Sequence, residues 1–294
     1  MDYQAVLEIK DLQKKFKGFR LDIPELKIPK GFATALIGEN GAGKSTLINV
    51  MAGVRLDYKG SISYFGGETD EKIIRENIGY TGTGNYFLPR WTVGQVAVVS
   101  SLLFEQFSKE RYEELCKELG VEDKKKTITK LSDGMRMKVT LAAVWARKTK
   151  LLIMDEPASP LDPLMRDHLC SMIRNYLDEG EDKSVLFSTH NISDMESVTD
   201  YAVIMDQGKV IEQGFVEDLK EKYILVKGET VDAKRAKEIL FSFRENAFGF
   251  EGLCLCEHLD ALAGMDISTE TPTLHQISVA VMQHYSKHVA LRTA

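Results

Sequence analysis

A glycine-rich stretch near the start of the chain has the residue types and spacing of a phosphate-binding loop. Residues Gly38–Ser45 read Gly-Glu-Asn-Gly-Ala-Gly-Lys-Ser and match the pattern G-x-x-x-x-G-K-[ST]. Glycines let the backbone curl so that its N–H groups point at phosphate oxygens, and a following helix adds its dipole. We expect Lys44 to reach the β- and γ-phosphates of a nucleotide and the Ser45 hydroxyl to bind Mg²⁺. The predicted nucleotide-binding residues of this loop are Gly38, Asn40, Gly41, Gly43, Lys44, Ser45 and Thr46.

Two adjacent acids end an apolar run in the middle of the chain. Asp155 and Glu156 directly follow Leu151–Met154. A site that hydrolyses a nucleotide needs a magnesium ligand and a base that orients water. Asp155 is the candidate for the metal, through a bridging water, and Glu156 is the candidate for the base. Adjacent acids alone are weak evidence, but together with the phosphate loop they indicate ATP hydrolysis.

Short apolar runs are predicted to be the buried strands that position these residues. Each run is followed by Gly, charged or Ser/Thr residues, and helical patterns separate most of them, which is typical of a parallel sheet in an α/β protein. The four runs are Ala33–Ile37, Leu151–Met154, Val185–Phe187 and Ala202–Met205. A helix is expected within 131–148, where an apolar stripe recurs at helical spacing. That stripe consists of Met137, Leu141, Val144 and Trp145.

The chain is predicted to divide into a nucleotide-binding domain at 1–222 and a C-terminal extension at 223–294. A helical subdomain is expected at about 86–148, and its clearest helices are Thr92–Phe104 and Lys109–Leu119. No internal repeat is visible, so the sequence contains a single phosphate loop. A chain of 294 residues fits one large domain with an appendage.

The extension is expected to contain short strands and two helices. Tyr223–Val226 is strand-like, and a polar helix follows from Ala233. A last helix is predicted to begin at Pro272 with Thr271 as its cap, because proline suits the first helical turn. This region has none of the phosphate-site motifs, so we expect it to assist assembly and not chemistry.

Composition excludes several classes of protein. The 38 Lys and Arg residues are outnumbered by 44 Asp and Glu residues, and a net charge of −6 argues against bulk nucleic-acid binding. The four cysteines are scattered and the first residues lack a signal-peptide pattern, so we expect reduced thiols in the cytosol. Val93–Phe104 is too short to span a bilayer. Cys254, Cys256 and His258 could suggest a metal site, but their alternation favours a strand.

Leu131–Met135, Leu-Ser-Asp-Gly-Met, lies some 20 residues before the two acids and resembles the LSGGQ signature of ABC ATPases. Ser159–Asp162 resembles the D-loop of that family, and His190 in Ser-Thr-His resembles its switch histidine, a sensor of the γ-phosphate. The resemblance covers roughly residues 5 to 220. It implies a P-loop NTPase with a RecA-like core, an antiparallel β subdomain and a helical subdomain, to which the C-terminal extension is added.

The resemblance also implies a partner cassette. In that family two cassettes face head to tail, and each ATP lies between the phosphate loop of one and the signature of the other. Ser132 and the amide of Gly134 would then contact ATP held by a second subunit, and Asp162 belongs to the nucleotide-binding set. With one loop and one signature, the chain needs a second cassette, identical or related.

The sequence departs from the family pattern at two places. The family usually has a glutamine after the strand that corresponds to Asn77–Tyr80, whereas this chain reads Thr-Gly-Thr-Gly-Asn, so Thr83 or Asn85 would have to serve as the relay. In the signature, Asp133 replaces the first glycine and Met135 replaces the glutamine. These replacements keep the serine and the second glycine of the signature, Ser132 and Gly134.

Two aromatic positions have competing interpretations. Phe16, with Phe19 as second candidate, could stack on adenine in the manner of the family, or could be a core residue. The segment Tyr86–Trp91 falls where such cassettes receive the coupling helix of a membrane subunit, and burial within the subdomain is the alternative.

The leading functional hypothesis is an ATPase that powers a membrane transporter from the cytoplasmic face of the cell membrane. It implies ATP and Mg²⁺ as cofactors and a separate transmembrane permease as partner. The alternatives are a soluble ABC ATPase that acts on ribosomes or DNA, and a cassette that binds ATP without hydrolysis. The single cassette and its tail, with Thr271–Ile277, resemble bacterial exporter cassettes, including those that export antimicrobial or cytolytic peptides such as phenol-soluble modulins.

Overall fold

A computed structural model of the chain describes residues 3–82 and 87–293. Three sheets organise these residues: a six-stranded mixed sheet, a three-stranded antiparallel sheet and a four-stranded antiparallel sheet. The first two sheets enclose one apolar cluster between them, while a second cluster lies on the other side of the six-stranded sheet. The predicted α/β class and the predicted antiparallel β subdomain are confirmed.

The six-stranded sheet carries the predicted buried strands. Five parallel strands are followed by one antiparallel edge strand, in the order β5-β6-β7-β3-β8-β9. The bounds are β3 Ala33–Ile37, β5 Ile78–Thr81, β6 Leu151–Asp155, β7 Ser184–Thr189, β8 Tyr201–Asp206 and β9 Lys209–Phe215. Every residue of β3, β6 and β7 is buried, which explains why these strands read as continuous apolar runs in the sequence. All four predicted strands are confirmed: the bounds of β3 match, and β6, β7 and β8 extend beyond the predicted runs by one or two residues at an end.

The three-stranded sheet covers one face of this core. Its order is β2-β1-β4, with β1 at Ala5–Phe16, β2 at Phe19–Pro29 and β4 at Lys59–Tyr64. A tight turn at Gly18, whose φ is +85°, joins the first two strands, and glycine is the residue that adopts this backbone without strain. Buried residues alternate along β2, as expected of a sheet with one face on the core.

Helices pack around the six-stranded sheet and form the helical subdomain. The first six are α1 Lys44–Met51, α2 Glu71–Asn77, α3 Val93–Leu103, α4 Lys109–Glu118, α5 Asp133–Trp145 and α6 Pro163–Asp178. Thr92 caps α3 in a capping box with Gln95, and the two predicted helices of the subdomain are confirmed. In α5 the predicted stripe is buried at Met137, Leu141 and Val144 and half-buried at Trp145. None of the helices within the described residues is long and apolar enough to cross a membrane.

Arg147 ties the helical subdomain to the sheet. Its Nη2 donates to the carbonyl oxygens of Arg75 at 2.8 Å and Glu76 at 3.1 Å, just before β5. Its guanidinium carbon lies 3.5 Å from the centroid of the Phe104 ring at the end of α3. Burial lowers the pKa of Arg147 to about 10, so the side chain remains charged at neutral pH.

The C-terminal extension forms the third sheet and a long final helix. The sheet order is β11-β12-β10-β13, all antiparallel. Helix α7, Val216–Lys222, precedes the extension. The bounds within it are β10 Tyr223–Gly228, α8 Ala233–Ala236, β11 Phe241–Asn246, β12 Gly249–Leu255, β13 Ile267–Glu270 and α9 Leu274–Thr293. The strand at Tyr223 is confirmed, while the polar helix from Ala233 is a single turn. Cys254 is fully buried in β12, as the strand interpretation predicts, whereas Cys256 follows the strand and is exposed.

The predicted start of the last helix is wrong. The helix begins at Leu274, and Thr273 is its cap instead of Thr271. Thr273 Oγ1 accepts a hydrogen bond from the Gln276 backbone N–H at 3.2 Å, and the Gln276 side chain accepts one from the Thr273 N–H at 2.9 Å. This reciprocal pair is a capping box at Thr273, so the helix starts at the next residue and Pro272 precedes it.

Candidate functional site

The loop between β3 and α1 has the geometry of a phosphate cradle. Gly41 and Gly43 have φ angles of +88° and +105°, which residues with a Cβ rarely adopt. Gly43 directly precedes α1, so the first turn of that helix opens onto the loop. Gly38 serves a different purpose, since a Cβ there would lie 2.5 Å from the Met205 carbonyl oxygen of β8. The loop can therefore press against the sheet while its other glycines expose backbone amides.

Lys44 is buried at the start of α1 and points back along the loop. Its Nζ donates to the carbonyl oxygens of Gly38 at 2.7 Å and Glu39 at 3.1 Å. The same Nζ lies 3.5 Å from Glu156 Oε1. The ammonium group is thus held between the phosphate loop and the end of β6, in a position to meet an anionic ligand.

Asp155 and Glu156 lie at the carboxyl end of β6, where Ser188 of the neighbouring strand β7 holds both. Ser188 Oγ donates to Asp155 Oδ1 at 2.5 Å and accepts from the Glu156 backbone N–H at 2.9 Å. Asp155 is buried, and its other oxygen, Oδ2, has no hydrogen-bond partner among the described residues. A buried carboxylate oxygen without a donor is costly unless a cation or water satisfies it, so this atom fits the predicted magnesium site.

His190 approaches Glu156 from the end of β7. Its Nδ1 lies 2.8 Å from Glu156 Oε2, while the other carboxylate oxygen faces Lys44. The Glu156 backbone has a φ of +50°, an unusual conformation for a residue with a Cβ. This conformation, together with the hydrogen bond that the Glu156 N–H donates to Ser188, places the carboxylate where Lys44 and His190 contact it.

A cleft of about 930 Å³ lies over these groups. It is large enough for a nucleotide, since ligand sites of small molecules typically occupy about 300–1,000 Å³. The predicted site residues that line it are Phe16, Asn40, Gly41, Gly43, Lys44, Ser45, Thr46, Asp155, Glu156 and His190. Gly38, Ser132, Gly134 and Asp162 are not among its lining residues.

Phe16 and Phe19 form an aromatic edge on one side of the cleft. Their ring centroids are 6.1 Å apart, and Phe16 is 39% exposed at the end of β1. Lys14 Nζ and the guanidinium carbon of Arg55 each lie 5.3 Å from the Phe16 centroid. Phe16 is therefore not a core residue, while Phe19 is packed against the phosphate loop, where a Cβ on Gly43 would lie 2.8 Å from its ring.

The signature-like segment begins α5. Ser132 is exposed and caps the helix, its Oγ accepting from the Met135 N–H at 3.2 Å. Gly134 packs against the loop that follows Glu156, since a Cβ there would lie 2.8 Å from the Pro160 carbonyl oxygen. Asp133, which replaces a glycine of the family pattern, forms an ion pair with Arg136, and both residues line the cleft.

Asp162 lies at the start of α6, after the loop that begins at Glu156. Its carboxylate caps α6, accepting from the Met165 N–H at 3.0 Å, and it lies outside the cleft lining. Ser159 and Pro160 of the same loop line the cleft instead. An aspartate followed by proline is a common helix start. The cap uses one of the two carboxylate oxygens, and the nucleotide contact of Asp162 stays a prediction.

The candidate relay and docking residues are placed only in part. Thr83, Asn85 and Tyr86 lie outside the described residues, although Gly82 lines the cleft. Phe87 and Trp91 are half-buried against the main core, in line with the burial alternative. Leu88, between them, is 60% exposed.

Sequence reasoning missed several residues of the site. Ser188 holds both acids, yet its neighbourhood reads only as the end of an apolar run, and the parallel register that pairs it with Asp155 is needed to find it. Met137 and Thr140 of α5 also line the cleft. Their spacing of three residues places them on one face of the helix, but the sequence does not say which surface that face meets.

Several known proteins are similar in sequence to this chain. A protein-family model described as ABC transporter matches residues 21–159. The uncharacterized ABC transporter ATP-binding protein YxlF of Bacillus subtilis (strain 168) is 34% identical over 192 residues, 64% of this chain and 63% of that protein. The probable sulfate/thiosulfate import ATP-binding protein CysA of Chlorella vulgaris is 31% identical, over 72% of this chain and 92% of that protein. The lantibiotic transport ATP-binding protein SrtF of Streptococcus pyogenes is 30% identical, over 70% of this chain and 89% of that protein.

A solved structure shares the fold. It is described as the structure of the ATP binding subunit of an ABC transporter, and it superposes with a TM-score of 0.65 at 27% sequence identity, covering 74% of this chain and 92% of that one. The order of phosphate loop, signature, paired acids and histidine agrees with this similarity. The chain belongs to the family of ABC transporter ATP-binding proteins.

Proposed function

We propose that this chain binds and hydrolyses Mg-ATP in the cleft and that the energy drives transport through a separate membrane subunit. The observation that carries the proposal is the convergence of Lys44, Asp155, Glu156 and His190 at the phosphate loop. These side chains come from α1, β6 and β7, and their contacts of 2.8–3.5 Å bring a cation, a base and its orienting imidazole together. Phosphoryl transfer depends mainly on such positioning and on electrostatic stabilisation.

The nucleotide would lie along the phosphate loop. The amides exposed at Gly41 and Gly43 and the start of α1 would hold the phosphates, with Lys44 beside them. Phe16, at the exposed edge of the cleft, would stack on the base. Lys14 and Arg55 flank the same ring, and their charges lie near the place proposed for the base.

A magnesium ion fits the donors at the end of β6. Ser45 and Asp155 line the same cleft, and Asp155 Oδ2 is the buried oxygen without a partner. These two residues would hold the ion, with Asp155 acting through water. When bound, the ion neutralises charge on the phosphate oxygens.

Glu156 would act on the attacking water. Its carboxylate orients the water and accepts its proton, while His190 fixes the carboxylate from the side opposite Lys44. Ser188 holds the backbone of Glu156 at the same time, so the base has little freedom to turn away. The proposed proton acceptor is therefore Glu156, held in place from three sides.

A second cassette would complete the site. Ser132 is exposed at the start of α5, where it could face another subunit. We propose that its hydroxyl and the Gly134 amide contact ATP held by that subunit, and that two cassettes dimerise around ATP. The single phosphate loop of this chain supports a dimer, of identical or related cassettes.

The membrane partner is proposed to be a permease that exports peptides, with this chain at the cytoplasmic face of the membrane. A lantibiotic transport protein among the relatives supports the peptide cargo, and the likeness of the tail to exporter cassettes supports the direction. An import protein stands at similar identity, so the direction needs a direct test. Exposed apolar residues of the helical subdomain offer a docking surface, namely Leu88, Val98, Leu102 and Leu103.

The experiment for nucleotide binding is a calorimetric titration with Mg-ATP of the wild type and of Lys44→Ala. We expect at least about tenfold weaker binding in Lys44→Ala, since a hydrogen bond to a charged group contributes about 1.5–3 kcal/mol. Lys59→Ala, at an exposed strand position, is the matched control. Equal affinities in the three proteins would contradict the phosphate site.

The experiment for transport uses inside-out vesicles that contain this chain together with a candidate permease. ATP-dependent uptake of labelled peptide into these vesicles is the expected result for an exporter. Uptake only in right-side-out vesicles would overturn export and leave an importer. Leu88→Asp should weaken association with the permease while Mg-ATP binding stays unchanged.

A further inference from the structure

Arg166, in the first turn of α6, joins two loops that both carry residues of the cleft. Its Nε donates to the Leu161 carbonyl oxygen at 3.0 Å. Its Nη1 lies 2.8 Å from Asp194 Oδ2 in the segment after His190. The Arg166 side chain is 28% exposed and that of Asp194 is 25% exposed, so solvent only partly screens the pair. Arg166 itself does not line the cleft.

The first of these loops starts at the proposed base. It runs from Glu156 to Leu161 and is closed by hydrogen bonds from the Ser159 N–H to the Glu156 oxygen and from the Leu161 N–H to the Ala158 oxygen. Ser159 and Pro160 line the cleft. Arg166 thus binds the carbonyl oxygen of Leu161, the last residue of the loop that begins at Glu156.

The second loop starts at the switch histidine. Asn191, the next residue, donates through Nδ2 to Asp194 Oδ2 at 3.1 Å, the same oxygen that Arg166 binds. Thr189 and Asn191 also exchange hydrogen bonds across His190, each 3.0 Å long. Ile192 and Met195 are buried in the core, which fixes the remainder of the loop.

One guanidinium therefore bridges the two loops behind the contact between Glu156 and His190. That contact, 2.8 Å long, has one partner on each loop. Arginine suits the position because its planar fork donates in two directions at once, whereas a lysine ammonium acts as a point charge. A shift of about 1 Å in such a site can lower turnover by about a hundredfold.

We propose that Arg166 is a positioning residue for ATP hydrolysis: through Leu161 and Asp194 it holds the two loops at the spacing that lets His190 orient Glu156. The proposal rests on the proposed hydrolysis. It adds a residue that neither contacts the nucleotide nor lines the cleft. Its removal should lower the rate of the chemical step and leave nucleotide affinity in place.

The same helix supplies a matched control. Arg174 pairs with Asp200 at 3.0 Å and donates to the Ser197 carbonyl oxygen at 2.9 Å. Asp200 accepts from the Ala33 N–H at the start of β3, the end of that strand away from the phosphate loop. Loss of Arg174 removes a similar pair from α6 without touching the two loops.

The test compares Arg166→Met, Arg166→Lys and Asp194→Asn with Arg174→Met and the wild type. Single-turnover ATPase rates, Mg-ATP affinity by titration and thermal midpoints are measured for each. We expect rates at least about tenfold lower in Arg166→Met and Asp194→Asn, with affinities within about twofold of the wild type. The rate of Arg166→Lys should lie between those of Arg166→Met and the wild type. Arg174→Met should keep the wild-type rate, although its thermal midpoint should drop about as much as that of Arg166→Met.

Hydrogen exchange separates this proposal from the proposed hydrolysis. Amides at 189–195 should exchange faster in Arg166→Met and Asp194→Asn than in Arg174→Met, whether or not the protein hydrolyses ATP. If the wild type shows no hydrolysis, the proposed function fails, and these exchange rates still decide whether Arg166 holds the loop. Equal exchange in the Arg166 and Arg174 variants, or equal turnover in both, would overturn the assignment.

Discussion

The nucleotide cleft and the C-terminal extension contact the same six-stranded sheet through different forces. In the cleft, single polar contacts of Lys44, Glu156 and His190 determine the geometry. In the extension, α9 inserts fully buried apolar side chains, Leu274 and Ile277 among them, into the main core beside β8 and β9. Changes in the cleft should alter chemistry while the fold survives, whereas changes in α9 should act through stability.

The extension is expected to assist assembly, and its packing indicates that it also stabilises the fold. It has a small apolar core of its own, which includes Val226, Phe250 and Cys254. Yet α9 also contributes to the core of the nucleotide-binding region, and the Leu274 N–H donates to Glu196 Oε1 at 2.8 Å. The boundary between the nucleotide-binding domain and the extension at residue 222 therefore stays a prediction. From the packing of α9 we expect the two parts to stabilise one another.

The largest expected effect is that of Ile277→Asp on stability. Its side chain is fully buried, and a buried charge without a partner costs about 3–5 kcal/mol. We expect a large fall in the free energy of unfolding of the whole chain, measured by chemical denaturation. His275→Asp, at an exposed position of the same helix, is the control. An unchanged transition for the nucleotide-binding region would show that the extension is a separate appendage.

Ser188→Ala should have a smaller effect on stability and a larger one on chemistry. It removes the donor to Asp155 Oδ1 and the acceptor of the Glu156 N–H, and an unsatisfied buried polar group costs about 1–3 kcal/mol. For each kcal/mol of lost stability, we expect Ser188→Ala to lower the turnover rate more than Ile277→Asp does. Urea unfolding and ATPase rates of both variants measure this ratio. A Ser188→Ala protein with wild-type turnover would contradict the role assigned to Ser188.

The smallest expected effect is a difference in thiol reactivity within the extension, which can be measured by cysteine labelling without destabilising the protein. Burial raises the pKa of Cys254 to about 11, so its reactive thiolate is scarce at pH 7.5, whereas Cys256 is exposed. Burial also raises the pKa of Cys116 and Cys170. A maleimide should react first at Cys256, and Cys256→Ser should remove the fast phase, as followed by mass spectrometry. Fast labelling of Cys254 would indicate that β12 opens readily.

The parts of the site that a short segment encodes could be predicted from the sequence. The phosphate loop follows from local spacing, because Gly41, Gly43 and Lys44 are close in the chain and their conformations follow from residue type. The buried strands are similar, since their apolar runs are continuous. Most of the site residues predicted from the sequence therefore line the cleft.

The features that the sequence did not predict depend on contacts between distant segments, or on which of two nearby residues caps a helix. Ser188 meets Asp155 only through the register of two parallel strands, which no spacing in the sequence specifies. At the start of α9, Thr271 and Thr273 both qualify as caps, and the deciding residue is Gln276, three positions after Thr273. Asp162 caps α6 through Oδ1, a contact that the resemblance to the D-loop does not specify.

The central claim is that Glu156 is the base for ATP hydrolysis, and the single-turnover rate of Glu156→Gln tests it most directly. Glutamine keeps the size and the hydrogen-bonding shape of the side chain but cannot accept the proton. We predict a rate lower by about a hundredfold or more, with Mg-ATP affinity retained because the loop and Lys44 are intact, so that ATP accumulates in a dimer. Hydrolysis near the wild-type rate, in a preparation free of contaminating ATPase, would contradict the account.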